Sequence, residues 1–418
     1  MCNITNGSLL FMQGNQSILR YPTEPSRIDQ ETLNSILIWA SQNDVSDIVF
    51  KTGDPVMVKR HGRRIRATSR ALSSSEVGAV INAIYGDNGT SMISGGKDVD
   101  TGYSVKNGRD ENYRFRFNGT GCLVNGSNGF SVTLRAIPSI PKSVEEIKFP
   151  MHLVEAMSKG YGMNFVTGET GSGKTTLQAA VLRHRVEQPD ANLNVLTFEW
   201  PIEFMFDEVD KPSSIVQQTE VPKHLPSFEA GIRNAMRRDP DIILIGESRD
   251  AATMAASIEA ARSGHLLMTT MHSNGVPSTI RRAVGMFPEG ERNSRAIDIA
   301  ESVNIILTQR LLRTLDGKRA PVLEYLVFDD QIREKLLTSP VDKWPAVARD
   351  LTKRYGVTMA DDAKRLLDQG LIDQKEYRMI AVQEVQRDAD SEAVIKSDTP
   401  SASLGGAFFD GLDNLGGL

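Results

Sequence analysis

Residues Gly168 to Thr176, GETGSGKTT, space glycines, a lysine and hydroxyls as a phosphate-binding loop does, Gly-x-x-x-x-Gly-Lys-Thr. In such a loop the glycines, here Gly168, Gly171 and Gly173, let backbone N–H groups close around phosphate oxygens. The Lys174 ammonium then reaches the β- and γ-phosphates, and the Thr175 hydroxyl ligates Mg²⁺. Thr170, Ser172 and Thr176 complete the phosphate-binding set. ATP and Mg²⁺ are the expected ligands. The loop follows GMNFV and precedes LQAAVLRHRV, a strand, loop and helix context that supports the assignment.

A second run, DPDIILIGESRD, is apolar and ends in acid, so it reads as a strand that delivers a carboxylate to the phosphate end of a sheet. Ile245 and Gly246 stand where a metal-holding aspartate would precede the glutamate. Glu247 is therefore the expected water-positioning residue, with any metal contact made through water. The alternative is a capping glutamate before the helix from Ser248 to Gly264. Glu199 and Glu203, in LTFEWPIEF, leave a neighbouring strand and could face the same Mg²⁺ and water. His272, in MTTMHSN, ends a further strand and could sense the γ-phosphate, although a lone histidine can also be structural.

The elements that must hold these groups fall into an ordered series. Residues 1–27 are polar and irregular, an expected flexible arm. Residues 28–137 alternate helical and strand periodicities as an α+β domain. Residues 138–150, PSIPKSVEEIKFP, are proline-punctuated and read as a linker. From 151 to 340 apolar strands alternate with helices, the pattern of a parallel sheet covered on both faces and of a doubly wound nucleotide-binding core. Residues 341–387 suggest a small helical region, and 388–418, rich in Gly, Ser and Asp, a disordered acidic tail.

The 418 residues carry a net charge of −5. From Glu384 onward, seven acids (Glu384, Asp388, Asp390, Glu392, Asp398, Asp410 and Asp413) stand against Arg387 and Lys396, which accounts for all of it. The body is neutral and gives no electrostatic reason for nucleic-acid binding. The dense basic run KRHGRR, Lys59 to Arg64, has no aromatic ladder beside it, so direct nucleic-acid contact is not expected. No run of about 18 apolar residues could span a bilayer. No signal peptide is read at the start, and Cys2 and Cys122 lack metal or disulfide spacing. The chain is expected in the cytoplasm, recruited peripherally to the inner membrane through partners.

The blocks GETGSGKTT, FEWPIEF, AMRRDPDIILIGESRD, SGHLLMTTMHSN and QRLLRTLDGKRAPVLEYLVF stand in the order found in the type II/type IV secretion ATPases, and the chain resembles that family over residues 30 to 340. Within it, the chain looks most like PilT-type pilus retraction motors and the DotB/TraJ-type ATPases of type IVB secretion and conjugation. The resemblance implies a RecA-like P-loop core, a PAS-like N-terminal domain and a homo-hexameric ring. It implies inner-membrane secretion or pilus platform proteins and companion ATPases as partners. It places an acidic box at Glu199 to Glu203, the Walker B glutamate at Glu247 and a histidine box at His265 to His272. Where pilus motors carry Glu-Asp-Pro this chain has Glu199-Trp200-Pro201, which favours the DotB/TraJ branch.

The family's N-terminal arginines match Arg114, Arg116 and Arg135. In RFRF, alternation on a strand sends Arg114 and Arg116 to one face. An arginine meeting transition-state charge can be worth roughly 10³ to 10⁵ in rate. The expected function is ATP hydrolysis coupled to domain motion in a secretion or pilus machine. The alternatives are a RecA-like nucleic-acid translocase and a nucleotide-gated docking protein whose turnover is incidental.

Overall fold

The computed structural model describes residues 19–60, 62–108, 111–137 and 140–396. In chain order they form α1 (Gln30–Gln42), β1 (Val45–Lys51), β2 (Met57–Arg60), β3 (Arg63–Arg66), α2 (Ser74–Tyr85), α3 (Gly89–Ser94), β4 (Val99–Asn107), β5 (Glu111–Val124) and β6 (Ser127–Ile137). Next come α4 (Met151–Ala156), β7 (Gly162–Thr167), α5 (Lys174–Val186), β8 (Asn194–Glu199), β9 (Ile215–Glu220), α6 (Phe228–Ala235), β10 (Ile242–Ile245), α7 (Ala251–Arg262) and β11 (Leu266–Met271). The chain continues with α8 (Val276–Gly285), α9 (Arg292–Ser302), β12 (Val303–Arg313), β13 (Arg319–Val327), α10 (Asp330–Leu337), α11 (Trp344–Tyr355), α12 (Met359–Asp368) and α13 (Gln374–Lys396). The class is mixed α/β with two sheets. Contacts divide the chain into two compact units, Met1–Lys148 with Ala179–Gly231, and Phe149–Gln178 with Ile232–Leu418.

The first unit is built on an antiparallel sheet of order β3-β2-β1-β6-β5-β4. Strand alternation gives it two faces. Ile48, Phe50, Phe115, Phe117, Val132 and Leu134 are buried with Leu33, Ile36 and Leu37 of α1 and Val77, Val80 and Ile81 of α2 in one core. Sequence sets the helix starts. Asp29 caps α1 by accepting from the Thr32 N–H at 2.9 Å, and Ser73 with Glu76 forms a capping box on α2. Glu76 also binds Arg70 at 2.6 Å, and that guanidinium holds its carboxyl down at about 2. The opposite face carries charge. Register sets Asp47 opposite Arg135 and Arg135 opposite Arg116, so the three share one face, and Arg114 and Asp100 lie on it two residues along their strands.

The other sheet has seven strands. Those in the second unit follow the order β13-β12-β7-β11-β10, and β8 with β9 pair in parallel within the first unit. β10, β11, β7 and β12 are mutually parallel where they pair, while β12 and β13 form an antiparallel hairpin. β7, β10 and β11 are buried along their whole length, the condition of a sheet covered on both faces. A smaller core of Leu312, Val322, Met359, Ala363, Leu366, Ile372 and Ile380 joins the hairpin to α12 and α13. Among the described residues no helix is long and apolar enough to cross a membrane.

Two elements, β9 and α13, depart from the sequence reading. β9, IVQQTE, carries polar residues in sequence, is largely half-exposed and was not read as a strand. α11 begins at Trp344-Pro345, where proline at the first turn is favourable, and it falls within 341–387, where a helical region is expected. α13 runs on to Lys396, past Asp388 where an irregular tail was expected. Residues 388–396 contain neither Gly nor Pro, and their Ala, Glu and Lys positions leave helix propensity intact. The expectations for 1–18 and 397–418 lie outside the described residues. Residues 140–150 contain neither helix nor strand.

Candidate active site

Three parallel strands of the second unit end at one edge. β11 pairs with β7 from Leu266↔Gly162 to Met271↔Thr167, and with β10 from Leu266↔Ile242 to Thr269↔Ile245. The chain leaving β7 enters the loop at Gly168, the chain leaving β10 reaches Glu247, and the chain leaving β11 reaches His272. Parallel pairing thus delivers a loop, a carboxylate and an imidazole to the carboxyl edge of the sheet, where open α/β sheets bind ligands. His265 lies at the other end of β11, with Nδ1 near Ser263 Oγ and the Ala260 carbonyl at 3.2 Å each. Only His272 of the histidine box is at the loop edge.

The loop is closed by its glycines and by a strand residue that sequence did not single out. Gly168 has φ +143, and a Cβ there would collide with the Gln309 carbonyl and come within 2.6 Å of Ser172 Oγ. Gly173 has φ +88, and a Cβ there would lie 2.7 Å from Gln309 Nε2. That amide donates to the Ser172 carbonyl at 2.6 Å, fixing the loop on β12. Lys174 is buried, with Nζ donating to the Gly168 and Glu169 carbonyls at 2.9 Å each. Ser172 Oγ is buried without a hydrogen-bond partner among the described residues. A buried ammonium, an unused hydroxyl and a cradle with no room for Cβ atoms suit phosphate oxygens. Thr175 and Thr176 are half-buried in the first turn of α5, and Thr170 and Gly171 are exposed.

A ladder of buried hydroxyls underlies this edge. Thr308 and Thr167 Oγ1 atoms are 2.7 Å apart, Thr279 Oγ1 donates to Thr167 Oγ1 at 3.4 Å, and Ser273 Oγ lies 2.7 Å from Thr279 Oγ1. It ties the root of the loop to the turn that carries His272. Beside it, the Ser248 N–H donates to the Thr270 carbonyl at 3.0 Å, and Thr270 Oγ1 donates to the Gly246 carbonyl at 2.5 Å. These bonds fix the backbone on both sides of Glu247.

Glu247 Oε1 is 3.6 Å from His272 Nε2, and Oε2 is 3.8 Å from Arg249 Nε. Burial first, then the charge of Lys174, pushes the His272 pKa below its ordinary value, with Glu247 opposing and Arg282 and Arg249 assisting. The imidazole is therefore neutral at neutral pH, and its contact with Glu247 is not an ion pair. The helix that follows is capped by Asp250, which accepts from the Thr253 N–H at 2.8 Å. Glu247 is not that cap.

The remaining expected residues lie in the first unit. Glu199 is buried at the end of β8, where Thr197 Oγ1 donates to it at 2.7 Å and Gln218 Nε2 at 3.2 Å. Burial pushes its carboxyl up to about 7. Glu203 is half-buried. Arg114 is buried and donates through Nη2 to the Ile202 carbonyl at 3.1 Å, between the two glutamates in sequence. Burial lowers its pKa while Glu220 and Glu199 oppose. Arg116 Nη2 pairs with Asp100 at 3.0 Å, and Arg135 Nε with Asp47 at 2.9 Å. The arginines thus share a face as alternation required. Their carboxylate partners Asp47 and Asp100 come from other strands and were invisible in local sequence.

The family described as type II/IV secretion system protein matches residues 100–389. The chain belongs to that family. It is 32% identical over 84% of its length to a twitching motility protein of Neisseria gonorrhoeae, covering 91% of that protein. It is 28% identical to the type IV pilus retraction ATPase PilT of Pseudomonas aeruginosa, over 83% of this chain and 97% of that one. The X-ray structure of the Legionella pneumophila ATPase DotB superposes with a TM-score of 0.81 at 41% identity, covering 87% of this chain and 98% of that one. The ADP-bound pilus retraction motor PilT gives 0.70 at 28% identity, covering 82% and 95%. With a family match over most of the chain and the phosphate loop intact, this member is a nucleotide-binding ATPase of the type II/IV secretion family.

Among the described residues no group of three or more His, Cys, Asp or Glu is placed to hold a metal. Mg²⁺ commonly takes one or two protein oxygens together with waters and substrate phosphates. Thr175 at the head of α5, with Glu247 at the same edge, fits that mode.

Proposed function

We propose that the chain works as a homo-hexameric ring ATPase that couples hydrolysis to domain motion in a type IV secretion apparatus, of the type IVB or conjugative kind, or in a pilus. The observation that carries this reading is the convergence of Lys174, Glu247 and His272 at one sheet edge. In this reading residues 151–340 are the RecA-like core, 28–137 a PAS-like domain, and 341–387 a helical region. The higher identity to the Legionella DotB structure than to the PilT structure supports the DotB-like branch.

On ATP binding, Lys174 exchanges the Gly168 and Glu169 carbonyls for the outer phosphates. Thr175 would hold Mg²⁺, with Glu247 at the same edge as its water-mediated partner, and the metal would supply neutralisation of charge on the phosphates. Glu247 orients the attacking water, and neutral His272 donates to or accepts from the γ-phosphate environment. Glu199, with a carboxyl near 7, is able to exchange a proton at neutral pH. Arg116 and Arg135 are held by Asp100 and Asp47 until a phosphate competes for them, and Arg114 holds the segment after Glu199.

Recruitment through inner-membrane platform proteins and companion ATPases keeps the chain peripheral in this reading. Lys174→Ala tests it: nucleotide binding and turnover should both be lost, and secretion or pilus function with them. Full function from a protein that neither binds nor hydrolyses ATP would reject it.

A further inference from the structure

The turn that carries His272 ends on a buried carboxylate. The Val276 N–H, at the start of α8, donates to Glu324 Oε1 at 2.7 Å. Gly275 has φ +145, and a Cβ on it would lie 2.7 Å from the same oxygen, so only glycine lets the turn approach Glu324. The Glu324 side chain is fully buried in β13, far along the chain from the turn it holds.

Its other oxygen faces cations. Glu324 Oε2 is 3.7 Å from Arg349 Nη1 of α11 and 3.8 Å from Arg387 Nη1 of α13. Arg349 Nη2 in turn donates to Glu384 Oε1 at 2.5 Å, and Glu384 Oε2 accepts from the Ala360 N–H, in the first turn of α12, at 3.1 Å. Glu324 thus connects the His272 turn to α11 and α13 directly and, through Arg349 and Glu384, to α12. From its other side the turn is tied to the phosphate loop through Ser273, Thr279 and Thr167. Removing one member of so buried a group unbalances the charges that remain.

We propose that Glu324 is a positioning residue for hydrolysis: it sets the His272 turn and makes that setting depend on Arg349 and Arg387 of the C-terminal helices. In this role Glu324 acts only through the turn that it holds. The latch borders a cavity of about 1080 Å³ lined also by Asn274, Gly275 and Ile280, so the turn has space on one side into which to shift when the latch opens. Rearrangement of α11 or α13 then reaches the active site through charge as well as packing. The proposal rests on the reading that His272 acts in hydrolysis.

The test is steady-state ATPase kinetics and titration with a fluorescent ADP analogue on full-length protein, for Glu324→Ala, Glu324→Gln, Arg349→Ala and the Glu324→Ala/Arg349→Ala pair. The expected result is a fall in kcat on the order of tenfold in Glu324→Ala, with ADP affinity kept. Glu324→Gln, which keeps an acceptor for Val276, should lose less, and the double variant should lose no more than Glu324→Ala alone. Wild-type kcat in folded Glu324→Ala, equal loss of ADP affinity, or additive effects of the two substitutions would overturn the proposal. If Glu324→Ala does not fold, Glu324→Gln and Arg387→Ala decide it by the same comparison of kcat with affinity. His272→Ala separates the two readings. Loss of turnover there with none in the Glu324 variants overturns the latch alone, and normal turnover there overturns both.

Discussion

Glu247 Oε1 lies 3.6 Å from His272 Nε2, at the ends of neighbouring parallel strands. The gap exceeds a direct hydrogen bond, and the imidazole is uncharged, so neither group is consumed by the other. Both remain available to a water and a phosphate placed over the loop. Glu247→Gln should therefore keep ATP binding and lower kcat by at least about 10². Equilibrium binding and single-turnover hydrolysis on the same sample check this, and wild-type turnover would remove Glu247 from the chemistry.

The depressed His272 pKa has a definite pH consequence. Burial and Lys174 keep the ring neutral above its ordinary value of 6.5, so protonation occurs only below that value. The stability linked to the neutral form is present above the unfolded value and lost as pH falls through the folded one. Titration of the nucleotide-free protein followed by the His272 ring resonances in NMR should give a midpoint below 6.5. A midpoint above it would mean that Glu247 outweighs Lys174.

Gln309 should control nucleotide affinity without touching chemistry. Its amide holds the Ser172 carbonyl and crowds Gly173. Gln309→Leu removes the donor and should weaken ATP binding by about 1 to 2 kcal/mol, with kcat at saturation less affected. Calorimetry on both proteins measures the first, and an unchanged affinity would show that the loop is preorganised without β12.

Glu199 gives a stability signature. Its folded pKa is raised by burial to about 7 from an ordinary 4.5, so the folded state binds the extra proton between those values. Stability is then fully present below 4.5 and lost as pH rises through about 7, by up to about 3 kcal/mol. Glu199→Gln should flatten that decline in nucleotide-free denaturant titrations between pH 5 and 8, about the range that the shift covers. An equal decline in the variant would assign it elsewhere.

What sequence could disclose follows from how local each signal is. The loop, Glu247 and His272 are strand-end features, and parallel pairing brings their segments to one sheet edge, so each position was readable from its own segment. The pairing of Arg116 with Asp100 and of Arg135 with Asp47 depends on antiparallel register between distant strands, which no local pattern states. Gln309 carried only the weak sign of an amide inside an apolar run. Glu324 carried no more, because its partners arrive from helices α11 and α13. β9 shows no apolar alternation, because Ile215 and Val216 are followed by Gln217, Gln218, Thr219 and Glu220.

In the proposed ring ATPase turnover depends on assembly, and the arginines are the groups that assembly would bring into play. The most direct measurement is ATPase rate per subunit against protein concentration, with mass followed by light scattering in the same samples. The rate should rise as a six-subunit species forms, and that rise should be lost in Arg116→Ala or Arg135→Ala. A rate per subunit that is constant from monomer upward would contradict it.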